Sequence, residues 1–216
     1  MSKVAIQGNA SGTGTFTIAA PNSNTDRTLT LPDEAGTVLT SASSIPVANL
    51  DSAVGITEAD VYILNTNVTS TDNTVTDITA WSRPSFDGFA QLGTGVSVSS
   101  GIFTFPSTGL WKIDFTGRYI NNNNTNSRFC RIFTYCTTDN STYTIRGFAG
   151  QNMTNAATGQ DDINLSVDIL FNVTNTSTHK IKTAFVVHSS AADTSLAGDS
   201  TQYGTNIIFV RLGDAQ

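Results

Sequence analysis

Few residues of the types that perform catalysis occur in this sequence. His179 and His188 are its two histidines, and each lies in a strand-like run beside lysine, serine or threonine. A catalytic triad needs a positioned nucleophile, a base and an orienting group, and no GxSxG motif occurs. We therefore interpret both histidines as surface or core residues without a catalytic role.

The two cysteines, Cys130 and Cys136, lie in one strand-like run. On one strand they would face the same side and, at about 3.3 Å per residue, lie roughly 20 Å apart, which is too far for a disulfide. Neither has the CxxC spacing and histidine partners that zinc sites use. The sequence therefore predicts two free, buried thiols.

Adjacent carboxylates occur at Asp161 and Asp162, after the turn-forming residues 157–160. Neighbouring side chains on a strand point to opposite faces, so these two do not form a catalytic pair. A calcium site completed by loop carbonyls is one interpretation, and a solvated loop is the one that we favour. Because few acidic residues lie near aromatic ones, a glycan-cleaving site is disfavoured. We predict that the protein is not an enzyme and has no catalytic residue, metal or cofactor.

Composition favours strands and loops. Charged residues make up 13% of the chain, about half of the usual quarter. Thr favours strands, whereas the abundant Asn, Gly and Ser favour turns. The net charge of −6 argues against non-specific nucleic-acid binding, which needs a basic face. Residues 1–20 lack the basic start and apolar run of a secretory leader, and no stretch predicts membrane insertion.

The longer, C-terminal part of the chain alternates apolar and polar residues with a period of two, which is typical of strands. Trp111, Ile113 and Phe115 share one face of a predicted strand, and Phe103 and Phe105 share a face of the run before it. About eight to ten short strands with regular turns indicate a sandwich or barrel. The predicted strands are VYILNTNV, TVTDITAW, GVSVSS, GIFTF, LWKIDFTGRYI, SRFCRIFTYCTT, TYTIRGFAG, INLSVDILFNVT, HKIKTAFVVHS and TNIIFVRLG.

Turn-forming residues separate these strands. We predict hairpin loops at 139–142 and 175–178, and a Gly-containing loop over 191–203. Polar loops at 121–126, 152–159 and 193–203 are candidates for contact with a ligand. Their candidate ligand-facing residues are Asn122, Asn124, Asn152, Asn155, Asp193 and Asp199.

Residues 1–54 differ from the rest and predict an extended attachment segment with a linker. Phe16 and Ile18 alternate with Thr, as do Leu29 and Leu31, but the segment is too poor in apolar residues to fold alone. We expect it to order by pairing its backbone with sister chains or with a particle protein. These four apolar residues are the candidate attachment residues.

The run GIFTFPSTGLWKIDFTGRYI, residues 101–120, resembles the trimeric jelly rolls of the complement-head and tumour-necrosis-factor family. As in that family, Phe103 and Phe105 precede a turn, Gly109 begins the next strand, and Trp111, Ile113 and Phe115 alternate along it. The turn DNST and the runs TSTHKIKTAFVV and GTNIIFVRL lie where the family has its later strands. The resemblance implies an all-β antiparallel jelly-roll sandwich over residues 55–216, assembled as a homotrimer.

The run TFTIAAPNSNTDRTLTLPDEAGTVLTSASSIPVANL, residues 15–50, resembles N-terminal segments of bacteriophage fibre and virion proteins. This resemblance implies a structural protein located in the virion, as a tail fibre or capsid decoration, that is bound to other virion proteins by residues 1–54. The alternative is a host-receptor or glycan-binding module at a tail-fibre tip. Neither interpretation involves nucleic acid as a partner.

Overall fold

The structure is a computed structural model that describes residues 10–15, 17, 22–26, 28, 55–70, 72–121, 127–153, 161–189 and 194–216. The chain divides into two compact units, Met1–Ser44 and Ile45–Gln216. The described residues of the first unit form turns and bends. All strands given below belong to the second unit, and the predicted division after residue 54 remains a prediction. None of the described residues forms a helix long and apolar enough to cross a membrane.

The second unit is all-β over the part of it that the structure describes. Its strands follow the alternating runs of the sequence closely, and two of those runs are each split into two short strands. The strands are β1 Ala59–Leu64, β2 Val68–Thr69, β3 Thr76–Asp77, β4 Trp81–Ser82, β5 Ser97–Ser99, β6 Ile102–Thr104, β7 Gly109–Asn121, β8 Ser127–Thr137, β9 Thr144–Met153, β10 Asp161–Val173, β11 Lys180–Ser189, β12 Thr194–Leu196 and β13 Asn206–Gly213.

These strands form two antiparallel sheets. In sheet A, β7 has β10 on one side and β13 and β12 on the other, and β13 continues to β1 and β4. In sheet B the order is β5-β6-β11-β8-β9, with β3 also on β11. The principal strands pair from the outside inward, as β1–β13, β6–β11, β7–β10 and β8–β9. This nested pairing wraps one long hairpin into two sheets and defines a jelly roll, which confirms the predicted fold class.

The core between the sheets is built from the alternating apolar residues that the sequence pattern indicates. Trp111, Ile113, Phe115, Phe103 and Phe105 are all buried, as predicted. The four aromatic rings among them form a continuous cluster with those of Trp81 and Phe209, and neighbouring centroids lie 5.0 to 6.1 Å apart. Such pairs each contribute roughly 0.5–1.5 kcal/mol beyond the burial of their area. The core therefore holds both sheets in one register.

The thiols of Cys130 and Cys136 are free and buried in this same core. They lie on β8 together with Ile132, which also faces inward, whereas Phe129 and Phe133 of that strand pack on its other face. The prediction of two free, buried cysteines on one face of a strand is confirmed.

Two expectations about connections are wrong. Residues 175–178 are not a hairpin loop, because β10 lies in sheet A and β11 in sheet B, so residues 174–179 cross between sheets. The predicted loop 191–203 contains strand β12, which pairs with β7 and β2. By contrast, residues 139–142 do join two adjacent strands, β8 and β9, as predicted.

An ion pair between the buried Asp60 and the partly exposed Arg83 fixes the segment between β4 and β5 against β1. The carboxylate of Asp60 accepts hydrogen bonds from Arg83 Nη2 at 2.7 Å and from the Val96 N–H at 2.9 Å. Arg83 Nη2 also donates to the Val96 carbonyl at 2.8 Å. Gly95 is required here, because a Cβ at its position would come within 2.5 Å of Asp60 Oδ2 and its φ is +74°. These contacts hold residues 83–96 along the edge of sheet A.

Candidate functional site

Two of the polar loops predicted to face a ligand begin and end at one end of the sandwich, and the third begins there. Asn121, at the end of β7, pairs with Asp161 of β10 and Thr194 of β12. In sheet B, Ser127 at the start of β8 pairs with Met153 at the end of β9. The sequence shows these loops as separate stretches, and the nested strand pairing brings their ends together.

Two of the six predicted ligand-facing residues are described by the structure. Asn152 is exposed on β9, one position before the buried Met153, and Asp199 is half-buried after β12. Whether either contacts a ligand remains a prediction. The other predicted residues lie outside the described residues: Asn122, Asn124, Asn155 and Asp193 of the loops, and Phe16, Ile18, Leu29 and Leu31 of the attachment segment.

The carboxylate of Asp199 organises its own turn. It accepts hydrogen bonds from the Thr201 hydroxyl at 2.7 Å, from the Gln202 side-chain amide at 2.6 Å and from the Thr201 backbone N–H at 2.8 Å. These bonds, led by that of the Thr201 side chain, lower the pKa of Asp199 to about 2. The carboxylate is therefore ionised near neutral pH and is held by the turn that precedes Tyr203.

The two histidines make different structural contacts. The ring of His179 lies between the hydroxyls of Thr174 and Thr178, at 3.2 and 3.1 Å. His188 Nδ1 lies 3.1 Å from the Asp72 carboxylate, and its ring stacks on Phe129 with centroids 5.1 Å apart. The histidines thus bind residues of the connections and of the outer face of sheet B.

The outer face of sheet A has an apolar region at β1 and β13. Ile207 and Phe209 point into the core, so Ile208 between them points outward, beside its pairing partner Val61. Ile208 is 37% exposed and Tyr203 is 50% exposed. Together with Ala90, these side chains surround a shallow concavity of about 470 Å³. We call this surface the apolar face of sheet A.

Charged residues border this apolar face on β7 and β10. Lys112 Nζ lies 2.8 Å from the Asp114 carboxylate, and Arg118 forms an ion pair with Asp162 across the two strands. Asp168, opposite Asp114 in the register, adds a further carboxylate. Sheet A therefore presents an apolar centre with a polar, mostly acidic border.

The outer face of sheet B combines aromatic and cationic side chains. Phe133 and Phe148 are paired on β8 and β9, and Phe148 is 66% exposed. The Arg131 guanidinium lies 4.3 Å from the centre of the Phe129 ring. Lys182 Nζ lies 5.4 Å from the centre of the Tyr135 ring. We call the surface of Phe129, Arg131, Phe133, Tyr135, Phe148 and Lys182 the aromatic–cationic face.

Three strands of sheet B differ in charge from the whole chain. Strands β8, β9 and β11 contain Arg128, Arg131, Arg146, Lys180 and Lys182 and no Asp or Glu, whereas the chain has a net charge of −6. Sequence analysis missed this concentration, because its members lie on three separate strands. The signal was present in the lack of acidic residues in those runs.

A cleft separates the β8–β9 hairpin from β10. It has a volume of about 420 Å³ and is lined by Cys136, Arg146, Leu170 and Phe171 among others. Burial raises the pKa of the Cys136 thiol to about 12. Because the thiolate is the nucleophilic form of cysteine, this residue is unreactive near neutral pH. Because Arg146 lines this cleft, we assign its side chain to the cleft rather than to the aromatic–cationic face.

Comparisons with known proteins identify no family for this chain. No protein-family model matches the sequence, and no curated protein is significantly similar to it. Among solved structures, Eiger TNF from S. frugiperda is similar with 14% identity and a TM-score of 0.49, over 73% of this chain and 94% of that one. Murine APRIL at pH 5.0 is similar with 12% identity and a TM-score of 0.49, over 72% and 98% of the two chains. The jelly roll is established by the strand pairing given above.

Proposed function

We propose that this chain is a structural protein of a bacteriophage virion, a homotrimer that is attached through residues 1–54 and displays the jelly roll of residues 55–216. The observation that carries the proposal is the apolar face of sheet A. The virion location and the attachment are supported by the resemblance of residues 15–50 to phage fibre and virion proteins. No catalytic step is part of this function.

The apolar face supports self-association because of its position as well as its composition. Ile208 lies on β13, which has strand partners on both sides, so its exposed side chain is held on a rigid surface. Contiguous exposed apolar surface on a soluble protein marks a contact region. The charged border of Lys112, Asp114 and Asp168 supplies the polar rim that such interfaces have. The resemblance of residues 101–120 to trimeric jelly rolls supports three copies.

Assembly is tested by a pair of variants on opposite sheets. Ile208→Asp places a carboxylate in the proposed contact, where an unpaired buried charge is strongly unfavourable, and we expect it to yield a folded monomer. Phe148→Asp introduces the same charge at an exposed apolar residue of sheet B, and we expect it to remain trimeric like the parent chain. Molar mass from light scattering at micromolar concentration is the measurement. A monomeric parent chain, or a trimeric Ile208→Asp variant, contradicts the assembly part of the proposal.

Attachment is tested by removing residues 1–54. Because the jelly roll has its own core, we expect the truncated chain to be a soluble trimer that no longer co-sediments with particles. Co-sedimentation at the stoichiometry of the full chain would place the attachment surface on the jelly roll instead. An insoluble truncated chain would show that the segment contributes to the folding of the jelly roll and that the proposed division is wrong.

The second candidate function is a host-receptor or glycan-binding module at a fibre tip. It is favoured by the convergence of the polar loop ends around Asn121 and Ser127. Asn152, which is exposed beside these ends, provides the discriminating variant. Loss of host-cell binding in Asn152→Ala, with the trimer intact, would favour this function over a purely structural one.

A further inference from the structure

We infer that the aromatic–cationic face of sheet B binds a carboxylate-bearing polysaccharide. The inference rests on the proposed function in one respect, namely that the contact between subunits uses sheet A and leaves this face exposed. It places ligand binding on the broad face of the sandwich and not on the polar loops at its end.

The aromatic part of the face suits the rings of a sugar chain. Phe148 is 66% exposed on the edge strand β9, although Phe133 and Ala184, which follow it across β8 and β11, are buried. The row ends at the exposed Asp77 of β3. Two residues after Phe148 on the same face of β9, Gly150 has no side chain, and a Cβ there would come within 2.7 Å of Arg131 Cγ. The face thus has an exposed aromatic ring beside a stretch of backbone that no side chain covers. The C–H faces of pyranose rings stack on such exposed aromatic surface, which water solvates poorly.

The cationic part of the face suits carboxylates. Arg131 is exposed, and among the described residues its side chain forms no ion pair with a carboxylate. Its guanidinium lies over the neutral Phe129 ring. Lys182 also lies 2.7 Å from Asp77, so its charge is partly satisfied. A guanidinium presents a planar fork of donors that matches a carboxylate in two parallel hydrogen bonds. Arg131 is therefore the residue that we expect to select a charged sugar over a neutral one.

The density of charge favours a carboxylate-bearing polysaccharide over a nucleic acid as the ligand of this face. A nucleic acid carries one charge per about 1.7 Å of duplex and is bound through many phosphate contacts, whereas this chain has a net charge of −6 and its face has one unpaired guanidinium among the described residues. A uronate chain carries at most one carboxylate per sugar ring. That lower density of charge fits an alternation of aromatic and cationic side chains on an otherwise acidic protein.

The test compares two arginines of sheet B that differ in where they point. The full-length chain is titrated by calorimetry with oligomers of polygalacturonate, alginate and hyaluronate, and with a neutral galactan. We expect binding to at least one acidic oligomer and not to the galactan.

Arg131→Gln should weaken binding of the acidic oligomer by at least about tenfold, as loss of a charged hydrogen bond does, and Phe148→Ala should weaken this binding similarly. The matched control Arg146→Gln removes the same charge from the cleft side of the sheet and should change affinity by less than about twofold, as expected for a screened charge.

Several outcomes overturn the inference. Absence of binding to all three acidic oligomers does so, as does equal binding of the neutral galactan. Equal effects of Arg131→Gln and Arg146→Gln would show that only the overall charge matters. Preferential binding of single-stranded DNA, or loss of self-association in Phe148→Ala, would assign the face to a different partner. Because the molar mass is measured separately, a trimer that binds no acidic oligomer refutes this inference alone, whereas a monomer that binds one refutes the proposed assembly alone.

Discussion

The two outer faces of the sandwich carry different chemistry on the same architecture. The outer side of sheet A presents Ile208 and Tyr203 beside a border of paired and acidic charges. Sheet B presents aromatic rings interleaved with Arg131 and Lys182. Both sheets contribute the same kind of alternating apolar residue to the shared core. The inner faces are thus constrained by packing, and the outer faces are where the chain differentiates one side from the other.

The two outer faces suit two different kinds of binding partner. An apolar centre with a charged rim suits a protein surface of matching shape, such as another copy of the chain. A row of rings and cations suits an extended, charged ligand. A jelly roll that used both would assemble through one sheet and bind through the other, so that assembly would not obstruct the ligand.

The largest expected effect tests whether inner and outer positions differ as described. Phe115→Ala removes a fully buried ring that packs 5.9 Å from Trp81. We expect a loss of about 3–5 kcal/mol in the free energy of unfolding. Phe148→Ala, at an exposed ring of the other sheet, is the control and should change it by less than about 0.5 kcal/mol. Urea denaturation measures both, and equal effects would contradict the assignment of strand faces.

A smaller effect tests the contacts that hold the segment between β4 and β5 against β1, at the edge of sheet A. Asp60→Ala leaves the buried Val96 N–H without its acceptor and frees Arg83, which is partly exposed and can be solvated. We expect destabilisation by about 1–3 kcal/mol. Asp162→Ala, which breaks a pair with Arg118 whose two side chains are both partly exposed, should cost less than about 1 kcal/mol. If the two variants are equally stable by urea denaturation, the Asp60 contacts do not hold the segment 83–96 in place.

The core and most strands could be predicted from the sequence, because burial on one face of a strand leaves a period of two in the residues themselves. Trp111, Ile113 and Phe115 show this pattern without interruption. On β8 the sequence has apolar residues on both faces, since Phe129 and Phe133 are as apolar as Ile132. The structure explains this mixture by a second, outer apolar cluster around Phe133, Ala184 and Val186.

Strand partners and surface clusters could not be predicted in the same way. The turn chemistry of residues 175–178 reports the local backbone and not the sheet that the next strand joins. Strand β12 has one large apolar residue, Leu196, and is a strand only because β7 and β2 flank it. Arg131 and Lys182 are distant in sequence, and only the pairing of β8 with β11 brings their strands together.

The smallest expected effect concerns the turn that leads to Tyr203 on the apolar face of sheet A. Hydrogen bonds to the ionised carboxylate lower the pKa of Asp199 to about 2, below the value of about 3.9 for an unfolded aspartate. A lowered pKa in the folded state means that the ionised carboxylate stabilises the turn above pH about 4. This contribution declines as the pH falls and is lost below pH about 2.

We expect the carboxyl carbon of Asp199 to titrate near pH 2 by NMR. The Asp199→Asn variant, whose amide oxygen can still accept a bond from Thr201, should retain the Tyr203 chemical shifts across that range. A carboxyl midpoint near 4 would show that the turn does not use this carboxylate, and Tyr203 would then need another anchor on the apolar face.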